Sequence, residues 1–262
     1  MARRIVVTSG KGGVGKTTVL ANLGLRLALG GKRVCMVDAD VGLNNLDMAT
    51  ACESLVVYDL ADCIEGRCRP KQALIQTRIS KNAYVLPSFH TLSNVEIAYE
   101  RFADLIEGLS TSFDFILIDC PAGIGDSFKR AVYSADEALL VTSPHLSALR
   151  DADKVLANLR GAKMDNVKLV VNRVRGDLIL SGKIISPEEI ETTLKCRVIG
   201  IIPDDDSMFL CNAGELPPES PSYKAFKILA RNLVFDKYKQ YDYAKDYRGF
   251  IGGIKRVIKR NI

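Results

Sequence analysis

RIVVTSGKGGVGKTT, residues 4–18, decides how the rest of this 262-residue chain is read. Ile5-Val6-Val7 is a short apolar, β-branched run, which predicts a buried strand. Leu20, Leu23, Leu27 and Ala28 recur at helical spacing, which predicts a helix over 18–29. Between them Gly10, Gly15, Lys16 and Thr17 meet the template G-x-x-x-x-G-K-[ST] of a phosphate-binding loop. Such a loop wraps backbone N–H groups around a nucleotide's phosphates, and glycines let it curl without Cβ clashes. The cradle is therefore assigned to Gly10, Lys11, Gly12, Gly13, Val14, Gly15, Lys16, Thr17 and Thr18. Lys16 is expected to reach the β- and γ-phosphates and Thr17 to hold Mg²⁺, with the positive helix N-terminus facing the anion. Lys11 is extra, because the template needs no lysine directly after its first glycine.

Outward from this loop, strands and helices alternate. Strands are predicted at 33–38, 84–86, 113–119, 138–142, 168–172 and 198–202. Helices are predicted at 95–109, carrying Ile97, Phe102, Leu105, Ile106 and Leu109 on one side, and near 126–134, 147–160, 187–195 and 222–236. The stretch before about Pro70 reads as irregular. This alternation predicts an α/β fold, a mostly parallel twisted sheet flanked by helices on both faces, with ligands at the carboxyl ends of strands.

The strand ends carry acids. FILIDCPAG places Asp119 at the end of an apolar strand, where its carboxylate would hold Mg²⁺ opposite Thr17 or simply cap a turn. DADVGLNNLD, 38–47, adds Asp38 and Asp40 as candidates near the metal, or as an acidic turn. Base choice follows from Asn172-Arg173-Val174-Arg175. A guanine site needs the Asp of N-K-x-D, and an Arg stands in its place, so ATP is favoured over GTP. Asn172 is free to meet the base, or to make a strand-end turn.

Composition sets the surroundings. Hydrophobic residues at 47% and charged residues at 26% fit a globular protein, and no apolar run approaches a membrane span. Met1 leads almost directly into the first strand, so a cytoplasmic location is expected. Seven cysteines include no C-x-x-C, and free thiols are expected; Cys63 and Cys68, in CIEGRC, are the nearest pair. The net charge of +5 sits entirely in residues 248–262, since 1–247 balance at 31 bases against 31 acids. On a helical projection Phe250, Ile251, Ile254, Val257 and Ile258 fall within about 120°, with Lys255, Arg256, Lys259 and Arg260 opposite. That segregation predicts a helix lying on anionic lipid, ordered only there because Gly252 and Gly253 weaken it in water. Nucleic acid remains the alternative partner of the basic face, and the bulky apolar stripe argues against it. Three segments follow: 1–236 as the nucleotide domain, 237–247 as a linker and 248–262 as an amphipathic membrane-targeting helix.

K-G-G-V-G-K-T-T resembles the loop of the deviant Walker A ATPases, the P-loop NTPase family containing MinD, ParA and the nitrogenase iron protein. The resemblance extends through both acidic segments to the tail, and is strongest to the MinD-like cell-division branch. It implies that Lys11 reaches a partner's nucleotide across an ATP-dependent homodimer, and that Lys11, Lys16 and Asp40 serve hydrolysis, Asp40 positioning the attacking water. It implies that Asn45 lies at the dimer face, that the Gly123 backbone senses the γ-phosphate, and that Asn172, Pro203 and Asp204 lie near adenine. In SPHLSALRDADK, 143–154, Arg150, Asp151 and Asp153 resemble a partner-docking helix, although His145-Leu146 departs from the usual pattern; Ser147 near the helix start also suits an ordinary cap. Implied partners are a MinC-type division inhibitor and a MinE-type or other topological regulator, at the inner face of the bacterial membrane. A ParA-like ATPase would carry basic patches on the body, and here the body is neutral. A flagellar-number regulator of the FlhG type shares the tail but usually adds an N-terminal activator segment. An Fe–S carrier would need paired ligand cysteines.

Overall fold

The computed structural model describes residues 1–40, 45–88 and 97–248. In chain order the elements are β1 (Arg3–Thr8), α1 (Lys16–Leu29), β2 (Val34–Asp38), α2 (Asn45–Ala49), α3 (Leu60–Ile64), α4 (Pro70–Ala73), β3 (Ile75–Gln76), β4 (Ala83–Leu86), α5 (Tyr99–Ser110), β5 (Phe115–Asp119) and α6 (Asp126–Tyr133). They continue with β6 (Glu137–Thr142), α7 (Leu146–Gly161), β7 (Val167–Val174), α8 (Gly176–Leu180), α9 (Pro187–Leu194), β8 (Val198–Pro203), α10 (Ser207–Leu210) and α11 (Pro221–Phe235). One sheet runs β3-β4-β2-β5-β1-β6-β7-β8. Every pairing is parallel except β3 with β4.

The apolar strands are buried because both faces are covered, and the period of two assigns each side chain to a face. Val6, Ile116 and Ile118 join one core. Ile5, Val7, Phe115 and Leu117 join the other. Helix α1 lies close on the second face because Gly24 meets the Met36 side chain where a Cβ would stand. The central place of β1, between β5 and β6, puts the loop that follows it at the middle of the sheet's carboxyl edge.

Three expectations change. The stretch before about Pro70, expected to be irregular, holds α2 and α3, and beyond it stand α4 and a two-residue edge strand, β3, too short for any periodic signal. Helix α5 begins at Tyr99, so Ile97 lies before it, although it is still buried in the core. Residues 237–247, expected as a linker, pack along β8. Gln240 Nε2 donates to the Val198 carbonyl at 2.7 Å, Asn232 Nδ2 to the Lys239 carbonyl at 2.7 Å, and Tyr243 Oη to Glu188 Oε2 at 2.9 Å. Tyr241 and Tyr243 reach the core, which their aromatic area explains better than any linker role. The tail residues Phe250 to Arg260 lie outside the described residues. No described helix is long and apolar enough to cross a membrane.

Gly176 shows how tightly this segment is held, because a Cβ there would fall on the Tyr243 carbonyl. Gly176→Ala is expected to lower stability by about 1–3 kcal/mol through overpacking and to raise amide exchange across 239–247, measured by urea denaturation and hydrogen exchange.

Candidate functional site

After β1 the chain turns through Ser9, whose Oγ donates to the Lys11 carbonyl at 3.2 Å. Gly13 and Gly15 adopt φ of +80° and +89°, left-handed values that glycine takes without strain. No side chain caps α1, so its first-turn N–H groups remain for an anion. The loop borders a cleft of about 620 Å³ that includes Gly12, Gly13, Lys16, Thr17, Thr18 and Asp40 in its lining.

Parallel register builds the acidic side of the cleft. Val7 pairs with Asp119, and Asp38 pairs with the same residue from β2. Asp119 is fully buried; it forms an ion pair with Lys16 Nζ, and Thr17 Oγ1 donates to its Oδ2 at 2.6 Å. Burial pushes the Asp119 carboxyl up, against the pull of Lys16 and Thr17. Asp38 is pushed up to about 7, by burial first and by Asp119 second. Asp40 is also raised, by burial and Asp119 against Lys16. Three carboxylates therefore share one nearby buried ammonium, a charge surplus that suits a divalent cation. Thr17 and Asp119, already touching, fit Mg²⁺ beside a phosphate chain. Among the described residues no three-ligand cage exists, in keeping with an ion that keeps waters and phosphate oxygens as ligands.

Hydrogen bonds engage two of the expected residues. Asp38, expected near the metal, accepts at Oδ1 from the Asp40 N–H at 2.9 Å and at Oδ2 from the Leu46 N–H at 3.2 Å, so it holds the backbone at both residues. Gly123 is expected to present its N–H to a γ-phosphate, but that N–H donates to the Ser9 carbonyl at 3.1 Å. Its φ of +97° still requires glycine-like freedom.

Other predicted residues arrive from both sides. Asn45 opens α2 on the cleft wall. Asn172 is buried, and its Nδ2 donates to the Val14 carbonyl at 2.9 Å from the space a Gly15 Cβ would fill. It ties down the loop, leaving Oδ1 for a base. Pro203 pairs with Val174, and the Asp204 N–H donates to the Val174 carbonyl at 3.0 Å. Both sit at the end of β8, outside the cleft lining. Gly10 packs against the backbone of Asp151 and Ala152 so closely that any Cβ would clash. This contact docks α7 on the loop and brings exposed Lys11 Nζ to 3.5 Å from Ser147 Oγ. Asp151 accepts from Lys154 at 3.3 Å, while Arg150 and Asp153 are exposed. His145, not Ser147, holds the cap position of α7, with no side-chain cap bond.

Arg173 was given no role from the sequence, where Arg175 stands in place of the guanine-reading Asp, yet it lines the cleft. A register shift in β7 and a φ of +56° bring its exposed side chain to the cleft rim, and no sequence signal marks that bulge.

A family model described as an AAA domain matches residues 2–171. The septum site-determining protein MinD of Bacillus subtilis is 40% identical over 261 residues, covering 97% of this chain and 97% of that one. The chain belongs to the MinD family of septum site-determining proteins. The MinC:MinD cell division protein complex of Aquifex aeolicus contains a chain with a TM-score of 0.84 at 39% identity, covering 91% of this chain and 98% of that one. MinD of Pyrococcus horikoshii complexed with Mg-ADP matches with a TM-score of 0.80 at 32% identity, over 89% of this chain and 96% of that one. The eight-stranded sheet is thus the MinD-family fold.

Two measurements check the site. Asn172→Ala leaves the Val14 carbonyl without its donor, which should cost roughly 1–3 kcal/mol and weaken nucleotide affinity, read by denaturation and by titration with a fluorescent ATP analogue. The second concerns pH. The folded-state value of Asp38, about 7, lies above the ordinary 3.8, so the folded chain holds that proton more tightly than the unfolded chain. Stability of the Mg²⁺-free protein therefore falls as pH rises from about 4 through 7, with Asp40 and Asp119 acting in the same direction. Melting temperatures in EDTA across that range are expected to decline, and less steeply for Asp38→Asn.

Proposed function

We propose that this MinD-family protein is a Mg²⁺-dependent ATP hydrolase that dimerises on ATP, binds anionic membrane through residues 248–262 and recruits a MinC-type inhibitor to set the septum. The observation that carries this reading is the pairing of Lys16 and Thr17 on buried Asp119 at the rim of a glycine cradle, with Lys11 exposed beside it. Lys16 would hold ATP phosphates, and Thr17 with Asp119 would hold Mg²⁺ when both are bound. The ion supplies charge neutralisation for the leaving and transferring oxygens. Lys16 supplies a further fixed cation, and Asp40 on the cleft wall orients water for in-line attack.

Lys11 acts in a second subunit. It stands at the outer edge of its own loop against Ser147, so completion of the site waits for a partner copy, with Asn45 at the shared face. Hydrolysis is slow until a MinE-type regulator stabilises that arrangement. The α7 face carrying Arg150 and Asp153 is the docking helix for inhibitor and regulator. Adenine lies toward Asn172, Pro203 and Asp204.

Membrane binding follows from valence. Each basic residue contributes about 1 kcal/mol near an anionic surface, and ordering the tail offsets part of it. Two tails on one dimer gain roughly 10²–10⁴ in avidity, which couples ATP state to attachment at the inner membrane face.

Co-sedimentation with anionic vesicles tests the whole reading. The protein should pellet with ATP and not with ADP; Ile254→Glu should abolish pelleting, and Lys11→Ala should remove both dimerisation and hydrolysis. Equal pelleting in ATP and ADP, or none in either, would overturn it.

A further inference from the structure

Cys63 and Cys68 are the nearest pair of thiols in the sequence, and the fold closes them further. Helix α3 opens with a reciprocal cap, in which the Asp62 N–H donates to Asp59 Oδ1 and the Asp59 N–H to Asp62 Oδ2, each at 3.0 Å. It ends in a tight reversal. Gly66, at φ +76°, donates its N–H to the Cys63 carbonyl at 3.2 Å, and the Arg67 N–H donates to the Asp62 carbonyl at 2.9 Å. That pattern of crossed bonds around a left-handed glycine folds the chain back over the last helical turn. The Cys68 N–H then donates to the same Asp62 carbonyl at 3.3 Å, and the two Sγ atoms meet at 3.6 Å. Arg67 Nε donates to Asp62 Oδ1 at 2.6 Å, pinning the turn from outside.

Both thiols are partly exposed, unlike Cys35, Cys52, Cys120 and Cys196, which are buried. A disulfide needs about 2.05 Å between sulfurs, so closing this pair requires a movement of roughly 1.5 Å. The six-residue ring is already formed by backbone bonds, so little chain entropy remains to be lost. Burial and the Cys68 sulfur push the Cys63 thiol up, which leaves the first attack to Cys68.

We propose that Cys63 and Cys68 form a reversible dithiol–disulfide site, with small peroxides as oxidants and low-molecular-weight dithiols as reductants. The Cys68 thiolate attacks one peroxide oxygen, the O–O bond breaks, and the departing hydroxide takes a proton to leave as water. Cys68 is then a sulfenic acid. The Cys63 sulfur attacks it, the S–O bond breaks, and the Cys63 proton leaves with the hydroxyl as a second water. Two thiols and one hydrogen peroxide give one disulfide and two waters. A dithiol returns the pair by exchange and is itself oxidised. Joining the two residues locks the turn between α3 and α4, on the face of the sheet that α3 shares with α5.

The full-length protein, oxidised with dilute hydrogen peroxide, alkylated and digested, tests this directly. The expected product is a chain lighter by two hydrogens, with a single bond mapped between Cys63 and Cys68, formed at a rate independent of protein concentration and reversed by dithiothreitol. Cys63→Ser should stop at a sulfenic acid on Cys68, trapped by dimedone, and Cys68→Ser should give neither product. The partly exposed Cys211 is the internal comparison. If Cys63 and Cys68 are both still alkylated when Cys211 is oxidised, or if the bond maps elsewhere, the site is overturned.

Discussion

Asp119 carries the constraint on which the rest depends. A fully buried carboxylate beside a second one, Asp38, is costly unless it is answered by charge and hydrogen bonds. Lys16 and Thr17 answer it from the first turn of α1. That fixes the helix against the ends of β1 and β5, and with it the curl of the glycine loop. The same tension is the chemical use of the site. Groups held together by an imperfectly compensated charge are ready to exchange partners with a metal and a phosphate.

From that point the structure spreads in two directions. Toward β2, Asp38 holds the backbone at Asp40 and Leu46, so the position of Asp40 on the cleft wall is set by its neighbour. Toward β7 and α7, Asn172 and the Asp151 backbone support the loop from beneath and from the side. Gly10 and Gly15 are glycines for this reason as well as for phosphate access. Helix α7 and the nucleotide loop are thereby in van der Waals contact, so a change in one has a short mechanical path to the other.

The Gly123–Ser9 bond ties the turn after β5 to the chain leaving β1, so the two segments bordering the cleft are joined backbone to backbone. The body ends in a comparable way. Residues 237–247 are fastened along β8 by bonds to the backbone of both segments.

By itself the sequence determined the sheet class and the glycine loop, because each follows from local periodicity or from a motif with one chemical use; it named Lys16, Thr17 and Asp119 from the same motifs and the role of Asp40 from the family resemblance. Helix ends were legible to within a residue or two for α1, α6, α7, α9 and α11, whereas α5 starts four residues later than its apolar stripe suggested. Tertiary structure decided what those residues touch. Asp38 and Asp119 share a carboxylate wall only because their strands are adjacent in register. Arg173 reaches the cleft rim at a bulge, Asn172 supports a loop 158 positions away, and the supposed linker finds a groove beside β8. These are pairings between distant segments, and no pattern within one segment records which other segment will lie against it.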